Sequence, residues 1–454
     1  MWRVLLCVAA TLLSTQAIAA EQPVVIVGAT LLDGRGGSPV RGATVVVEAG
    51  RIAAVLPRRG RTPKGARVVD ARGRYLLPGF IDMHAHLLVP RCEPLAGSTS
   101  VFDRVVSEKM LSALLDFGIT FVRSPATPTI EGLRLRDDLN AGRARGPHAV
   151  ASAELLNDPA MTEADLRRYV RDALPHRPDY FKVYARLRPW AVRAVVEEAH
   201  AHKVPVILHP GWTTWSDAVA IGVDHVTHAT DWSELMLRPE RRALVEAAIK
   251  ERGPMRGRID WLEQLDLDYP EVAAAMDRLA KAGVSLDPTL VAYDAKFLDP
   301  SAARYRRNPS VDVVPEMHAD WRACTSVTRD WTPDDYRRWA VAWPKMLRFV
   351  RMLHERGVLL TTGTDVTNPW VIPGESLHQE FELLAEAGIA PADILKMTGE
   401  NAARALRRKD VGVVEPGRRA DLVLLAADPL TDISNTRRIV WVMQGGRLVK
   451  TDRF

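Results

Sequence analysis

At 454 residues, with 47% hydrophobic and 26% charged side chains, the chain has a globular composition and material for a large core. Its formal charge of +5 is small, and its basic residues are scattered as short groups such as Arg241-Arg242 and Arg306-Arg307 without interleaved aromatics, so nucleic acid is not an expected partner. Three cysteines, Cys7, Cys92 and Cys324, exclude a disulfide scaffold.

Residues 1–20 carry one Arg, an apolar core and a small-residue end at Ala17-Ile-Ala19. This is the layout of a signal peptide cut after Ala19 or Ala20, so the mature protein is expected to be exported, periplasmic or secreted. No later run is long enough to predict a membrane span, and no membrane partner is expected after cleavage. Pairing of Cys92 with Cys324 is left open.

Residues 21–77 hold short β-branched runs divided by Gly and Asp turns, PVVIVGATLLDGRG, ATVVVEAGRIAAVLP and ARVVDARGRYLLP. The same texture returns in 406–454 with DLVLLAADP and IVWVMQGGRLVK. The two pieces predict one small β-sandwich assembled from both termini, with 78–405 inserted between them.

The insert alternates short apolar strands with helical stretches, which predicts βα units around a parallel sheet. The predicted strands are Tyr75–His84, Ile119–Arg123, His148–Ala153, Tyr180–Tyr184, Pro205–His209, His225–His228, Ser285–Val291 and Val358–Thr364. Eight such units fit a (β/α)8 TIM barrel of the α/β class. Long excursions at 231–275 and 293–345 carry Trp232, Trp261, Trp321, Trp331, Trp339 and Trp343. Packing of a lid-side core is the preferred role for these rings, ahead of substrate contact.

Catalytic groups of such barrels sit at the C-terminal ends of the strands. Strand 1 ends in His84 and His86, two apart and so on one face of a strand; strand 5 ends in His209, strand 6 in His228 and strand 8 in Asp365. Strand 4 turns Lys182 to the same side as Tyr180 and Tyr184. An ammonium inside a barrel is costly to desolvate, so its pKa should fall. The neutral amine can then add carbon dioxide and become a carbamate able to bridge two metals. Four His, one N-carboxylated Lys and one Asp suit two divalent cations, zinc foremost, with Mn, Co or Fe admitted. His200 and His202 lie on a helical stretch, diverge around its axis and are read as surface. His225, three before His228, is expected on the opposite strand face.

These motifs (PGFIDMHAH, FKVYA, VILHP, AIGVDHVTHAT, TTGTD and the tail ILKMTGENAARAL…VGVVEPGRRADLVLL…DPLTDI…VWVMQGGRLV) make the chain resemble the amidohydrolase superfamily, in its imidazolonepropionase-like branch that includes secreted Xaa-Pro dipeptidases. The resemblance implies one metal on His84, His86 and Asp365, a second on His209 and His228, and Lys182 as the bridge. It also implies hydrolysis by a water that the two cations acidify, with Asp365 as proton shuttle. Tyr184 is a candidate oxyanion donor or a packing residue. Arg123 is a candidate partner for a substrate carboxylate or half of a structural ion pair. His378 is a candidate substrate contact or a helix-surface residue.

The expected activity is hydrolysis of C–N bonds in small amides, dipeptides or N-acyl amino acids. Lactone, carbamate or phosphoester hydrolysis on the same fold, and a non-catalytic binding relative, are the alternatives. The expected partner is a small molecule, and homo-oligomerisation is left open.

Overall fold

The computed structural model describes residues 22–57, 63–90, 102–229, 233–297, 307–323, 328 and 330–449. The signal-peptide reading of 1–20, Trp232 and both Cys92 and Cys324 lie outside the described residues.

The chain opens with β1 (Val24–Leu31), β2 (Val40–Glu48), β3 (Arg51–Leu56), β4 (Arg67–Asp70) and β5 (Tyr75–Pro78). It crosses at Gly79 into β6 (Phe80–Asp82), and β7 (Val89–Pro90) pairs with β8 (Phe102–Asp103). There follow β9 (Ile119–Ser124), β10 (His148–Ala151), β11 (Phe181–Val183), β12 (Val206–Leu208), β13 (His225–Thr227), β14 (Ser285–Asp287) and β15 (Leu359–Leu360). The strands β16 (Leu422–Leu425), β17 (Ile439–Gln444) and β18 (Arg447–Val449) complete the order.

Strands from both ends of the chain share one eight-stranded sheet, ordered β18-β17-β16-β5-β1-β2-β3 with β4 beside β1. The β3 edge meets the segment that leads into β16: Ile52 N donates to Arg418 O and Ala420 N to Gly50 O, each at 2.9 Å. β16 shows why its sequence is a plain apolar run. Leu422 and Leu424 face the core enclosed by this sheet, while Val423 and Leu425 pack on the core around the barrel. A strand buried on both faces cannot alternate.

The remaining long strands run parallel as β10-β9-β6 and β11-β12-β13-β14-β15. Met83 N to Thr362 O (2.8 Å) joins the end of one group to the other, and Asp179 N to Ala151 O (3.0 Å) closes the opposite seam. The eight strands form a TIM-barrel fold. Capping boxes at Thr162/Asp165, Thr214/Asp217 and Thr332/Asp335 start three of the outer helices.

Two predicted strands are corrected. Tyr75–His84 is two elements, because Tyr75–Pro78 pairs with β16 and Phe80–Asp82 with β9. Gly79 sits at the crossing, where a Cβ would lie 2.2 Å from Thr120 Oγ1. Ser285–Val291 ends as a strand at Asp287, and Leu290–Phe297 is a helix. The tryptophans pack as expected: Trp261, Trp321, Trp339 and Trp343 are buried. Trp331 stacks on Phe297 with centroids 4.8 Å apart.

Candidate metal centre

The barrel interior is layered. Ile81, Met83, Phe121, Val150, Tyr180 and Ile207 form an apolar floor against Ala402 and Val411. Side chains two residues further along a strand share its inward face, and there the sequence turns polar: Arg123 follows Phe121, Lys182 follows Tyr180 and His209 follows Ile207. Above this layer lies a cavity of about 300 Å³ lined by His84, His86, Lys182, Tyr184, His209, His228 and Asp365, with Met255, Arg258, Tyr293, Lys296 and Asn368 among the rest of its wall.

His84, His86 and Asp365 bring one ligand-type atom each within 4.8 Å of one another. Asp365 Oδ1 lies 3.4 Å from His84 Nε2 and 3.3 Å from His86 Nε2. The other ring nitrogens are committed elsewhere. His84 Nδ1 is 2.6 Å from Asp287 Oδ2, and His86 Nδ1 is 3.2 Å from Ala126 O. A carboxylate or carbonyl oxygen can only accept, so each Nδ1 carries the proton and each Nε2 presents a lone pair to the cavity.

His209 and His228 continue the ring cluster, their centroids 4.4 Å apart, with His228 5.0 Å from His84. Burial holds both His209 and His228 well below the ordinary imidazole pKa. They are therefore neutral, the form that ligates metal. His228 Nδ1 is 2.7 Å from Thr289 Oγ1. His209 Nδ1 is buried without a hydrogen-bond partner among the described residues. An orphaned lone pair of this kind is what a cation would satisfy. Neutral imidazoles, a carboxylate and this unmatched nitrogen fit a divalent cation.

Lys182 is buried, and its Nζ donates to Thr227 Oγ1 at 3.1 Å. Burial pushes its pKa down to about 7, against the pull of Asp287. Near neutral pH a large fraction of the amine is unprotonated. Burial alone would raise the Asp365 carboxyl, but Lys296 and His84 hold it well below the usual range. The Tyr184 ring lies against His209, centroids 4.1 Å apart and planes tilted by 36°, and burial pushes its phenol up to about 12.

The backbone is strained where the candidate ligands sit. His228 (φ 72°), Thr289 (φ 50°) and Asp365 (φ 60°) are all left-handed, each costing about 1–3 kcal/mol that the surrounding packing must offset. The turn at His228 also corrects the reading of His225. His225 stands in register with Ile207 and so faces inward, though it is not part of the cavity lining, because the left-handed residue breaks the two-residue alternation. His200 and His202 lie at the surface, as expected.

Two candidates lie outside the cavity. Arg123 is 1% exposed beneath His84, with Nη2 2.6 Å from Asp287 Oδ1 and Nε 2.7 Å from Met83 O. It is half of an ion pair and does not reach the cavity wall. His378 is fully buried, not on a helix surface, bonded to Thr436 Oγ1 (2.9 Å) and Phe117 O (3.1 Å) and wedged among Phe80 and Phe381. The helix Glu375–Glu386 turns this face into the core.

Sequence reasoning passed over four groups. Asp287 ends β14, but the predicted strand runs on to Val291, so the strand-end rule does not reach it. Asp82 accepts from His84 N and Thr364 N and from Thr364 Oγ1 at 2.6 Å, tying the two ligand turns together. Burial raises its carboxyl to about 7. Arg258 and Lys296 come from the two long excursions, and no local pattern marks them.

A closed parallel barrel that gathers nitrogen and oxygen ligands at the C-terminal ends of its strands defines a metal-dependent hydrolase class. The chain belongs to the amidohydrolase family, whose sequence profile matches residues 75–449. It is similar to an allantoinase of Streptomyces avermitilis, with 35% identity over 23% of this chain and 23% of that protein. It is also similar to an N-acyl-D-aspartate deacylase of Alcaligenes xylosoxydans xylosoxydans, with 49% identity over 15% of this chain and 13% of that protein. These matches span less than a quarter of either relative. Among solved structures, a Xaa-Pro dipeptidase with bound methionine has the same fold, with TM-score 0.68 and 19% identity over 94% of this chain and 100% of that one.

Proposed function

We propose that the protein hydrolyses C–N bonds, amide or peptide-like, in small substrates such as dipeptides or N-acyl amino acids. The observation that carries this is the convergence of four neutral-capable histidines, Asp365 and the buried Lys182 on one cavity. The partial match to a deacylase supports the choice of bond. His84, His86 and Asp365 would hold one divalent cation; His209 and His228 would hold a second, with N-carboxylated Lys182 between them and zinc the first choice. Such cations, when bound, acidify water and polarise a carbonyl.

The chain's own groups supply the rest. Asp365 accepts the proton of the attacking water and returns it to the leaving amine. Its position between two imidazoles and Lys296 keeps it ionised at the start of the cycle. Tyr184, protonated throughout the neutral range, donates to the carbonyl oxygen as negative charge develops. Asp287 holds His84 in the ligating tautomer, and Arg123 orients Asp287. Residues 1–20, read as an export signal, put the mature enzyme outside the cytoplasm. No helix of the described residues is long and apolar enough to cross a membrane.

The test is elemental analysis of purified protein with a hydrolysis screen of dipeptides and N-acyl amino acids beside lactones and phosphoesters. About two metals per chain and turnover of the amides are expected. Turnover confined to esters would replace the bond assignment.

A further inference from the structure

The barrel mouth carries apolar surface that the metal centre does not use. Among the described residues the exposed tryptophans are Trp190 and Trp212, 48% and 50% exposed, and Leu155 is 37% exposed. All three stand on the segments that follow β10, β11 and β12. Apolar side chains gathered in water at the rim of a cavity mark a binding surface, whereas scattered ones do not.

These segments are zipped together. Tyr184 N donates to Leu156 O at 2.8 Å and Arg186 N to Asn157 Oδ1 at 3.1 Å, which joins the loop after β10 to the loop after β11. Trp212 N donates to Ala185 O at 2.8 Å, and Thr213 Oγ1 donates to Leu187 O at 2.8 Å, which adds the loop after β12. Gly211 permits the approach, since a Cβ there would lie 2.3 Å from Ala185 O. The Arg188 guanidinium sits 5.0 Å from the Trp212 ring centroid and holds the indole in place. Leu155 and Trp212 thus stand on the two loops that flank Tyr184-Ala185. Leu155 and Tyr184 also line the cavity, so the apolar rim continues its wall. A ring fixed before a ligand arrives loses little entropy on binding.

Strand order decides which half of a substrate meets this rim. Around the barrel β11 is the fourth strand and β15 the eighth, so Tyr184 and Asp365 rise from opposite sides. Asp365 returns its proton to the leaving amine, and Tyr184 donates to the carbonyl oxygen. The amine half therefore lies towards β15 and the acyl half towards β11. We propose that Trp212, with Leu155, forms a specificity-determining subsite for a bulky apolar group, an aromatic ring above all, at the far end of the acyl half. The inference rests on the C–N hydrolase reading above. Trp212 stands outside the cavity lining, so an acetyl group leaves it untouched and only a longer acyl chain, phenylalkanoyl or medium-chain, extends to it. Hydrolysis consumes one water and releases that apolar carboxylic acid and the amine.

The probes are 4-oxopentanoate and 4-oxo-7-phenylheptanoate, which reproduce N-acetylglycine and N-(4-phenylbutanoyl)glycine with a methylene in place of the scissile nitrogen. Neither can be hydrolysed, and both have the same amine-side end. Calorimetric titration of the metal-loaded protein with each therefore compares the acyl halves alone. The wild type is expected to bind the phenyl ketone about tenfold tighter or more. Trp212→Ala should cut that preference to about threefold or less, and Trp212→Tyr should keep most of it. Trp212→Gln replaces the Ala variant if that does not fold. Equal binding of the two ketones by the wild type, binding of neither, or a preference untouched by loss of the indole overturns the proposal. So does sedimentation that finds the wild type an oligomer and Trp212→Ala a monomer, since the rim would then be a contact between copies. Turnover of the two matching N-acylglycines is measured in parallel. No turnover of these or of the wider amide screen, alongside Trp212-dependent binding, would sink the hydrolase reading. Equal kcat/KM for the two N-acylglycines would sink only the subsite.

Discussion

Asp287 is the residue on which the site's rigidity turns. It is fully buried, and its two oxygens serve two partners, Arg123 Nη2 and His84 Nδ1, each at 2.6 Å. Asp287→Asn keeps the shape and removes the charge. Arg123 is then a buried guanidinium without its counterion, and its Nη1 already lacks a hydrogen bond among the described residues. Breaking one side of such a pair costs about 3–5 kcal/mol. Independently, the one amide oxygen cannot serve both donors; held by Arg123, it leaves an NH2 group facing His84 Nδ1 and disfavours the ligating tautomer, which should weaken metal binding by about 10–100-fold. Urea unfolding of the metal-free protein measures the first effect, and chelator competition measures the second. The double variant Arg123→Met/Asp287→Leu, which leaves His84 Nδ1 no acceptor at this position, separates them. With no stranded cation, it should recover most of the stability and none of the metal affinity. A single variant within about 0.5 kcal/mol of the wild type, or a double variant that regains metal affinity, would refute the reasoning.

Asp365→Asn should lower kcat by about a hundredfold or more, since the amide cannot carry the proton; elemental analysis should still find metal on the histidines. Lys182→Met should fold but bind fewer metals than the wild type, whose native mass near neutral pH should exceed the sequence mass by one carbon dioxide. Glu380 gives a pH test. Burial raises its carboxyl from 4.5 to about 8, so the folded state holds its proton more tightly than the unfolded chain. That contribution, on the order of a few kcal/mol, is fully present below about pH 4.5 and is lost as pH rises through about 8. Glu380→Gln should flatten the alkaline side of the stability curve, as thermal melts would show; an unchanged curve would mean the group is not protonated in the fold. Gly79→Ala places a methyl 2.2 Å from Thr120 Oγ1 and should destabilise by about 1–3 kcal/mol, read from the urea midpoint.

The sequence by itself determined the barrel and the strand ends that line its cavity, because both depend on local regularity. Apolar runs of strand length, helical periods between them and a polar residue at each strand end are written in neighbouring positions, and His84, Lys182, His209, His228 and Asp365 fall in that pattern. That pattern misses Asp287, because the predicted strand runs to Val291, past the turn at which β14 ends. It could not reach the fate of Arg123 or His378, since burial and partners come from elements distant in sequence: Asp287 for one, Phe117 and Thr436 for the other. Nor could it foresee that His225 and His228 both turn inward, because that depends on a left-handed residue at a strand end. Only the tertiary structure decided the cavity's chemistry beyond the candidate metal ligands. Arg258 and Lys296 come from excursions with no period of their own, and they acquire a role only where the fold lays them beside Asp365.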